Sequence, residues 1–234
     1  MLVAGPLALV GSGEYLPVLT EVEAELIAGR PPRFVQLATA AAPEGPLALA
    51  HWHELGRQAA ERLGVEQVVL PVVDRADAES AEIAALVEGA GLIYLSGGNP
   101  GYLAATLRGT AVGDAIVAAW RAGSALAGCS AGAIALTNEV PDIDDLSQPA
   151  QPGLGVVPQL RVLPHFDRFG EWVSAADLER LVSAPPGITV VGIDEDTALV
   201  GGPSEWTVRG RQSAWVLNGV DRTEFAAGCK LTTP

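Results

Sequence analysis

The stretch ALAGCSAGAIAL, residues 125–136, is an apolar run that leads into two adjacent candidate nucleophiles, Cys129 and Ser130. Gly128, Ser130 and Gly132 satisfy the pattern G-x-S-x-G. This pattern has chemical meaning where a strand turns sharply into a helix, because the turn lifts the serine hydroxyl above the sheet and small neighbours let the two elements pass closely. The apolar residues on both sides of the serine predict such a junction.

The rest of the first 137 residues repeats this alternation of short apolar runs and longer helical stretches. Repeated strand–helix units imply parallel strands with helices on both faces. We therefore predict an α/β fold, a three-layer sandwich with a mostly parallel central sheet. The Pro-rich stretch 138–160 is interpreted as a loop at the sheet edge, and the apolar runs within 187–202, 205–210 and 213–219 as antiparallel strands at the C-terminal end.

Composition favours one soluble domain over residues 1–234. The chain is 49% hydrophobic and 5% aromatic, and its formal net charge is -14. This acidity excludes a nucleic-acid partner, because the surface repels phosphate. Two cysteines cannot build a disulfide framework, which favours a reducing cytoplasm. The N-terminal apolar run lacks a basic region and is interpreted as the first strand rather than a signal peptide, and no run reaches the roughly 18 apolar residues of a membrane span.

Ser130 is a better candidate nucleophile than Cys129. A motif centred on Ser130 has glycine at both flanking positions, whereas one centred on Cys129 has Ala127 and Ala131 and would leave the cysteine as the last residue of the strand. A free cysteine is more often a small buried apolar residue than a nucleophile.

A serine nucleophile needs a base, and the chain holds three histidines, His51, His53 and His165. His165 follows the apolar run LRVLP (160–164), where a parallel strand would deliver it to the same sheet edge as Ser130. His51 and His53 are two residues apart in a predicted helix, a poor spacing for one face, and are interpreted as surface histidines.

The acid that orients the imidazole has two candidate sources. Asp194, Glu195 and Asp196 follow an apolar run, and strand alternation would place Glu195 on the face opposite to the two aspartates. Asp142, Asp144 and Asp145 lie in the predicted edge loop.

Backbone N–H groups are also needed to stabilise a developing oxyanion. Gly97 and Gly98 stand between a predicted strand and a predicted helix, where exposed N–H groups bind anions, and the N–H of Ala131 would be the second donor.

Six segments in this order resemble the cyanophycinase and aspartyl dipeptidase (peptidase E) group of serine peptidases. They are GSGE (11–14), ATAAAPEG (38–45), SGGNPGYL (96–103), GCSAGA (128–133), LPHFD (163–167) and GIDEDTAL (192–199). The resemblance covers nearly the whole chain. It implies a flavodoxin-like fold related to class I glutamine amidotransferases.

The resemblance also implies roles for individual residues. Ser130 would be the nucleophile, His165 the general base and then acid, and Glu195 the residue that orients the imidazole, as in the cyanophycinase branch. The dipeptidase branch takes its acid from the loop after the nucleophile, for which Asp145 is the second choice. Gly98 and Ala131 would form the oxyanion hole, and no metal or organic cofactor is implied.

Departures from the cyanophycinase pattern concern the substrate. Asn99 and Pro100 replace a Gln-rich segment, Leu163 and Pro164 replace an Asp-Gln pair, and Arg168 is the one arginine left close to His165. Cleavage of cyanophycin is therefore not expected, and Asn99 and Arg168 are the candidate substrate-binding residues, the arginine for a carboxylate.

The sequence thus predicts a cytoplasmic serine hydrolase that cleaves peptide or isopeptide bonds of short, Asp-containing substrates through an acyl-enzyme. The alternative is a noncatalytic member of the same fold that binds a small ligand or a partner. A glutaminase-type domain that uses Cys129 is a third hypothesis, and the resemblance implies a homodimer.

Overall fold

The computed structural model describes residues 3–142, 145–219 and 221–234. The strands are β1 (Leu7–Val10), β2 (Arg33–Leu37), β3 (Glu66–Val69), β4 (Leu92–Leu95), β5 (Ala125–Cys129), β6 (Glu139–Val140), β7 (Gln151–Pro152), β8 (Leu160–Pro164), β9 (Thr189–Ile193), β10 (Thr197–Gly201), β11 (Glu205–Gly210), β12 (Ser213–Asn218), β13 (Asp221–Ala226) and β14 (Lys230–Thr232). The helices are α1 (Thr20–Ile27), α2 (Pro46–Leu63), α3 (Arg75–Ala78), α4 (Ala81–Ala85), α5 (Pro100–Leu107), α6 (Ala111–Arg121), α7 (Ala131–Ala135), α8 (Phe169–Trp172) and α9 (Ala175–Val182), with 3-10 turns at Pro17–Leu19, Thr39–Glu44 and Phe166–Arg168.

The main sheet has the order β14-β11-β10-β1-β5-β4-β2-β3. The strands from β1 to β3 in that order are parallel to one another, whereas β10, β11 and β14 are antiparallel additions at the other end. This arrangement confirms the predicted mostly parallel sheet with antiparallel C-terminal strands.

Apolar side chains alternate across the main sheet and divide the core between its two faces. Leu7 and Leu9 of β1 belong to the cluster that includes α5, α6 and α7, and Ala8 and Val10 belong to the cluster that includes α1 and α2. A strand that is apolar on both faces is typical of a sheet covered by helices on both sides. The predicted three-layer sandwich is therefore confirmed.

A second sheet, β13-β12-β9-β8, holds the strand that leads to His165. The expectation that this strand joins the main sheet is wrong, because β8 pairs in parallel with β9 outside that sheet. Consecutive strands β9 and β10 belong to different sheets. The turn between them, residues 194–196, therefore crosses from one sheet to the other.

Polar caps divide two of the helical stretches of the chain into separate helices. The stretches at 77–91 and 101–123 each contain more than one helix, because Ser80 and Thr110 cap new helices by accepting hydrogen bonds from Ile83 N and Gly113 N. Ser174 caps α9 by accepting a hydrogen bond from Asp177 N. The edge loop at 138–160 carries the short β6–β7 ribbon. Within the described ranges, no helix combines the length and apolar character needed to cross a membrane.

Glu23 of α1 is an acid buried in the core, with a relative exposure of 1%. Its Oε1 accepts a hydrogen bond from Tyr15 N at 3.1 Å, and its Oε2 accepts none from the described part of the chain. Burial disfavours the charged form and raises the pKa of Glu23 to about 7. Below about pH 7, the protonated form of Glu23 is thus favoured in the folded protein. Because the unfolded chain already loses this proton near pH 4.5, the free energy of unfolding decreases as the pH rises from about 4.5 to about 7.

Glu23→Gln is therefore expected to stabilise the protein at about pH 8 by up to about 3 kcal/mol, and to have little effect near pH 4.5. Urea denaturation at both pH values measures this difference. Glu21→Gln, an exposed position on the same helix, is the matched control and should show no such pH dependence. An equal effect of Glu23→Gln at the two pH values would contradict the assignment.

Candidate active site

Three neighbouring parallel strands bring Glu14, Gly97 and Ser130 to one edge of the main sheet. The register pairs Val10 with Cys129 and Leu95 with Gly128, so β1, β4 and β5 end side by side. The segments that carry Glu14, Gly97 and Ser130 follow these ends directly. Ligand sites in open α/β sheets lie outside the carboxyl ends of the strands, which makes this edge the candidate active site.

Ser130 occupies a strained turn between β5 and α7. Its backbone has φ 48° and ψ -109°, a conformation that L residues rarely adopt. The flanking glycines are needed for close packing: a Cβ at Gly128 would lie 2.5 Å from the carbonyl carbon of Gly132, and one at Gly132 would lie 2.3 Å from the carbonyl oxygen of Leu95. The sharp strand-to-helix turn predicted for the G-x-S-x-G pattern is present.

His165 joins Ser130 to Glu195 by two hydrogen bonds. Its Nε2 lies 3.0 Å from Ser130 Oγ, and its Nδ1 lies 2.9 Å from Glu195 Oε1. A carboxylate only accepts hydrogen bonds, so Nδ1 carries the proton and Nε2 is left to accept the serine hydroxyl. The structure thus brings together the three residues that the resemblance implied, although His165 arrives from the second sheet.

Glu195 reaches His165 from the turn between β9 and β10. Asp167 Oδ1 accepts a hydrogen bond from Glu195 N at 2.8 Å, and Gln212 Nε2 donates to both Asp167 Oδ2 and Glu195 O. These two residues position the turn and were missed in the sequence interpretation. Asp167 lies in the quoted LPHFD segment and was available as a signal, whereas nothing in the sequence around Gln212 distinguishes it.

The neighbouring aspartates have other partners. Asp194 accepts hydrogen bonds from Ser213 N and Trp215 Nε1 within the second sheet, and burial raises its pKa. Asp196 forms an ion pair with Arg211 at 2.7 Å. The expectation of strand alternation is wrong, because residues 194–196 form a turn, and this turn directs the three acids to three different surroundings.

The second acidic group lies in the edge loop. Asp145 is exposed and accepts hydrogen bonds from Ser147 N, Ser147 Oγ and Gln148 Nε2, which lower its pKa to about 2. Asp142 accepts a hydrogen bond from Asp145 N at 3.3 Å. Asp144 lies outside the described residues. The hydrogen bonds of Asp145 are thus local to its own loop, and Arg180 of α9 adds a favourable charge interaction.

Glu14 holds the glycine pair beside Ser130. Its Oε1 accepts a hydrogen bond from Gly97 N at 2.9 Å, and a Cβ at Gly97 would lie 3.5 Å from Ser130 Cβ. Gly98 has φ 132°, and a Cβ there would lie 2.4 Å from the backbone of Ala40, so only glycine fits. Because Glu14 takes the Gly97 N–H, the next N–H, that of Gly98, is the candidate donor to a ligand in the cavity that Gly98 and Ala131 both line.

Cys129 faces the core on the opposite side of β5 from the α7 cluster. Its thiol is fully buried and donates to Glu14 Oε2 at 2.8 Å. Burial and the neighbouring Glu14 raise its pKa well above the usual value. A reactive cysteine needs a lowered pKa and access to substrate, so these surroundings suit a structural thiol. Cys229 is exposed.

Both candidate substrate-binding side chains have partners three residues further along the chain. Asn99 Oδ1 caps α5 by accepting a hydrogen bond from Tyr102 N at 2.8 Å. Arg168 is exposed and forms an ion pair with Glu171 at 2.7 Å. Neither side chain lines the two cavities that adjoin Ser130.

Those two cavities share Gly98, Ser130 and His165. One has a volume of 240 Å³ and mostly apolar walls, and the other has a volume of 390 Å³ and includes Glu14 and His51.

His51 is exposed and lines the larger of these two cavities, which its sequence context did not indicate. His53 is half-buried, contrary to the surface interpretation, and burial lowers its pKa. Within the described ranges, no group of three or more His, Cys, Asp or Glu side chains is placed to hold a metal ion.

Curated relatives of this chain are cyanophycinases. The chain is 31% identical over 178 residues to the cyanophycinase of Trichormus variabilis and 34% identical over 187 residues to that of Synechococcus elongatus. These matches cover 70% and 73% of this chain but only 57% and 54% of the relatives. The matched region is therefore little more than half the length of these relatives.

Solved structures extend the similarity to the whole chain. A peptidase from an acI-B1 Actinobacterium superposes with a TM-score of 0.91 at 42% identity, covering 98% of this chain and 97% of that one. A candidate peptidase E protein from Listeria monocytogenes has a TM-score of 0.60 at 19% identity, covering 96% of this chain and 100% of that one, and shows the shared fold alone.

The profile of Peptidase family S51 matches residues 8–206. Together with the cyanophycinase relatives, this match places the chain in peptidase family S51, the group that its ordered motifs resemble.

Proposed function

We propose that this protein is a serine peptidase that cleaves peptide or isopeptide bonds of short substrates through an acyl-enzyme on Ser130. The observation that carries the proposal is the continuous pair of hydrogen bonds from Ser130 Oγ through His165 to Glu195 Oε1. This is the arrangement by which a weak hydroxyl nucleophile is activated.

In the proposed reaction, His165 Nε2 takes the hydroxyl proton as Ser130 Oγ attacks the substrate carbonyl carbon. Glu195 stabilises the imidazolium that forms, and His165 then gives the proton to the leaving amine. Water, activated by the same histidine, attacks the acyl-enzyme and releases the second product. The N–H groups of Gly98 and Ala131 would stabilise the oxyanion in both steps. Both steps require the strained turn at Ser130 to act as a nucleophile elbow, which exposes the serine hydroxyl.

The Asp-containing substrate stays a prediction. A substrate carboxylate is best bound by a cation with free donors, but Arg168 is paired with Glu171 and lies outside the cavity walls. Neither cavity that adjoins Ser130 has an arginine or a lysine among its described lining residues.

The proposal is tested with a mixture of short α-linked peptides and β-aspartyl isopeptides, followed by mass spectrometry of the products. Cleavage by the wild-type protein that is lost in His165→Gln supports it. Peptides that are retained in equilibrium dialysis but never cleaved would instead favour a noncatalytic binding protein, the alternative from the sequence.

Cys129→Ala tests the glutaminase-type hypothesis. The thiol donates one hydrogen bond to Glu14, and Cys129→Ala removes that bond. Because one hydrogen bond contributes roughly 1 kcal/mol, we expect kcat/KM of the variant to fall less than about fivefold. Cys129→Ser keeps a donor and is the matched control, with an even smaller expected effect. A loss of about 10³-fold or more in both variants would identify Cys129 as the nucleophile and contradict the proposal.

A further inference from the structure

The 240 Å³ cavity beside Ser130 has walls of apolar side chains from α7, β8, α8 and α9 and from two connecting segments. They are Ile134, Leu146, Leu163, Phe169, Val173 and Leu181. Leu163 and Leu181 belong to an apolar cluster of their own, against which Leu146, Phe169 and Val173 pack. The cavity is therefore a gap in the side of a packed core, and most of its apolar walls belong to that core.

The described wall residues of this cavity offer no arginine or lysine to an acidic occupant. Among the described residues that line it, His165 is the one titratable side chain, and it is already bonded to Ser130 and Glu195. A carboxylate placed against the apolar walls would lose its water without gaining a cation. An apolar side chain would gain free energy by leaving water at the same place.

The size and position of the cavity indicate what occupies it. Its volume lies below the roughly 300–1,000 Å³ of pockets that enclose whole drug-sized ligands, which suits a single side chain. Ala131, whose N–H is one candidate donor to the carbonyl oxygen, lines this cavity and not the larger one. A substrate whose carbonyl oxygen accepted a hydrogen bond from this N–H would have the side chain of the residue that owns the carbonyl nearest to the apolar walls.

We propose that this cavity binds the side chain of the residue whose carbonyl Ser130 attacks, and that it selects an apolar side chain such as Leu over Asp. This inference rests on the proposed function of Ser130. It assigns specificity to the apolar walls rather than to Arg168.

The test compares amides of Leu, Asn and Asp, each with a free and with an acetylated amino group. These side chains have similar shapes, so the comparison separates charge and polarity from size. We expect kcat/KM for the better Leu substrate to exceed that for the matching Asn and Asp substrates at least about tenfold. Binding of the same amides to Ser130→Ala, observed by ligand-detected NMR, should follow the same order.

Two variants connect the preference to the cavity. Val173→Arg places a cation at a half-buried wall position and is expected to reduce the Leu-to-Asp ratio at least about tenfold, whereas Val73→Arg, at an exposed position outside the site, should leave it unchanged. Phe169→Ala removes wall surface without adding charge and should lower kcat/KM for Leu while affecting Asn less.

The outcomes separate this inference from the proposed function. Ser130-dependent turnover with Asp equal to or better than Leu would overturn the apolar preference and leave the peptidase intact. If the wild-type protein turns over none of the amides, the proposed function fails. Equal binding of the three amides to Ser130→Ala would in that case overturn the apolar preference as well.

Discussion

Ser130→Ala is expected to lower kcat/KM for any true substrate by at least about 10⁴-fold. The variant removes the atom that would form the acyl-enzyme, and the remaining histidine and backbone donors supply only a small part of the rate. The fold should persist, because alanine adds no volume to the turn and α7 stays packed against the sheet. The thermal midpoint is therefore expected to shift by less than about 3 °C.

The matched control is Ser204→Ala, a half-buried serine in the turn between β10 and β11. It should retain wild-type turnover. Turnover of Ser130→Ala within about tenfold of the wild type, with the same products, would rule out a serine nucleophile at this position.

Glu195→Gln is expected to lower kcat by about 10³-fold with a smaller change in KM. Glutamine keeps the size of the side chain, but it removes the negative charge that stabilises the imidazolium of His165. Its amide N–H₂ also favours the wrong tautomer of the histidine, with Nδ1 as the acceptor. Steady-state kinetics of the purified variants give both constants.

Asp145→Asn is the comparison variant, because Asp145 was the second choice for the same role. Its hydrogen bonds come from Ser147 and Gln148, and we expect a change in kcat of less than about fivefold. A larger loss in Asp145→Asn than in Glu195→Gln would assign the acid to the edge loop, as in the dipeptidase branch.

The main sheet was predictable from sequence because its signals are local. Most of the parallel strands are short apolar runs followed within three residues by Gly or Pro, and the alternation with helical stretches leaves few topologies. The turn at Ser130 was predictable for the same reason, since the G-x-S-x-G pattern is local and Gly128 packs against Gly132 within one strand–helix unit, whereas the contact that requires Gly132 is with Leu95 of the neighbouring strand β4.

The position of His165 depends on long-range pairing that the sequence does not encode locally. An apolar run predicts a strand but does not reveal which sheet it joins, so the assignment of β8 to the main sheet was wrong. The resemblance pointed to Glu195, whereas the argument from strand alternation failed because residues 194–196 form a turn between two sheets. The position of His51 in the wall of the 390 Å³ cavity also depends on how α2 packs, which the helical spacing of His51 and His53 alone does not predict.

The most direct test of the central claim is intact-mass analysis of the wild-type protein and Ser130→Ala after incubation with a small fluorophosphonate at about pH 8, where a neutral imidazole activates a serine. We predict one adduct on the wild type, mapped to Ser130 by peptide sequencing, and none on the variant. An adduct of equal yield on Ser130→Ala, or labelling of the wild type at another residue, would contradict the assignment of Ser130 as the activated nucleophile.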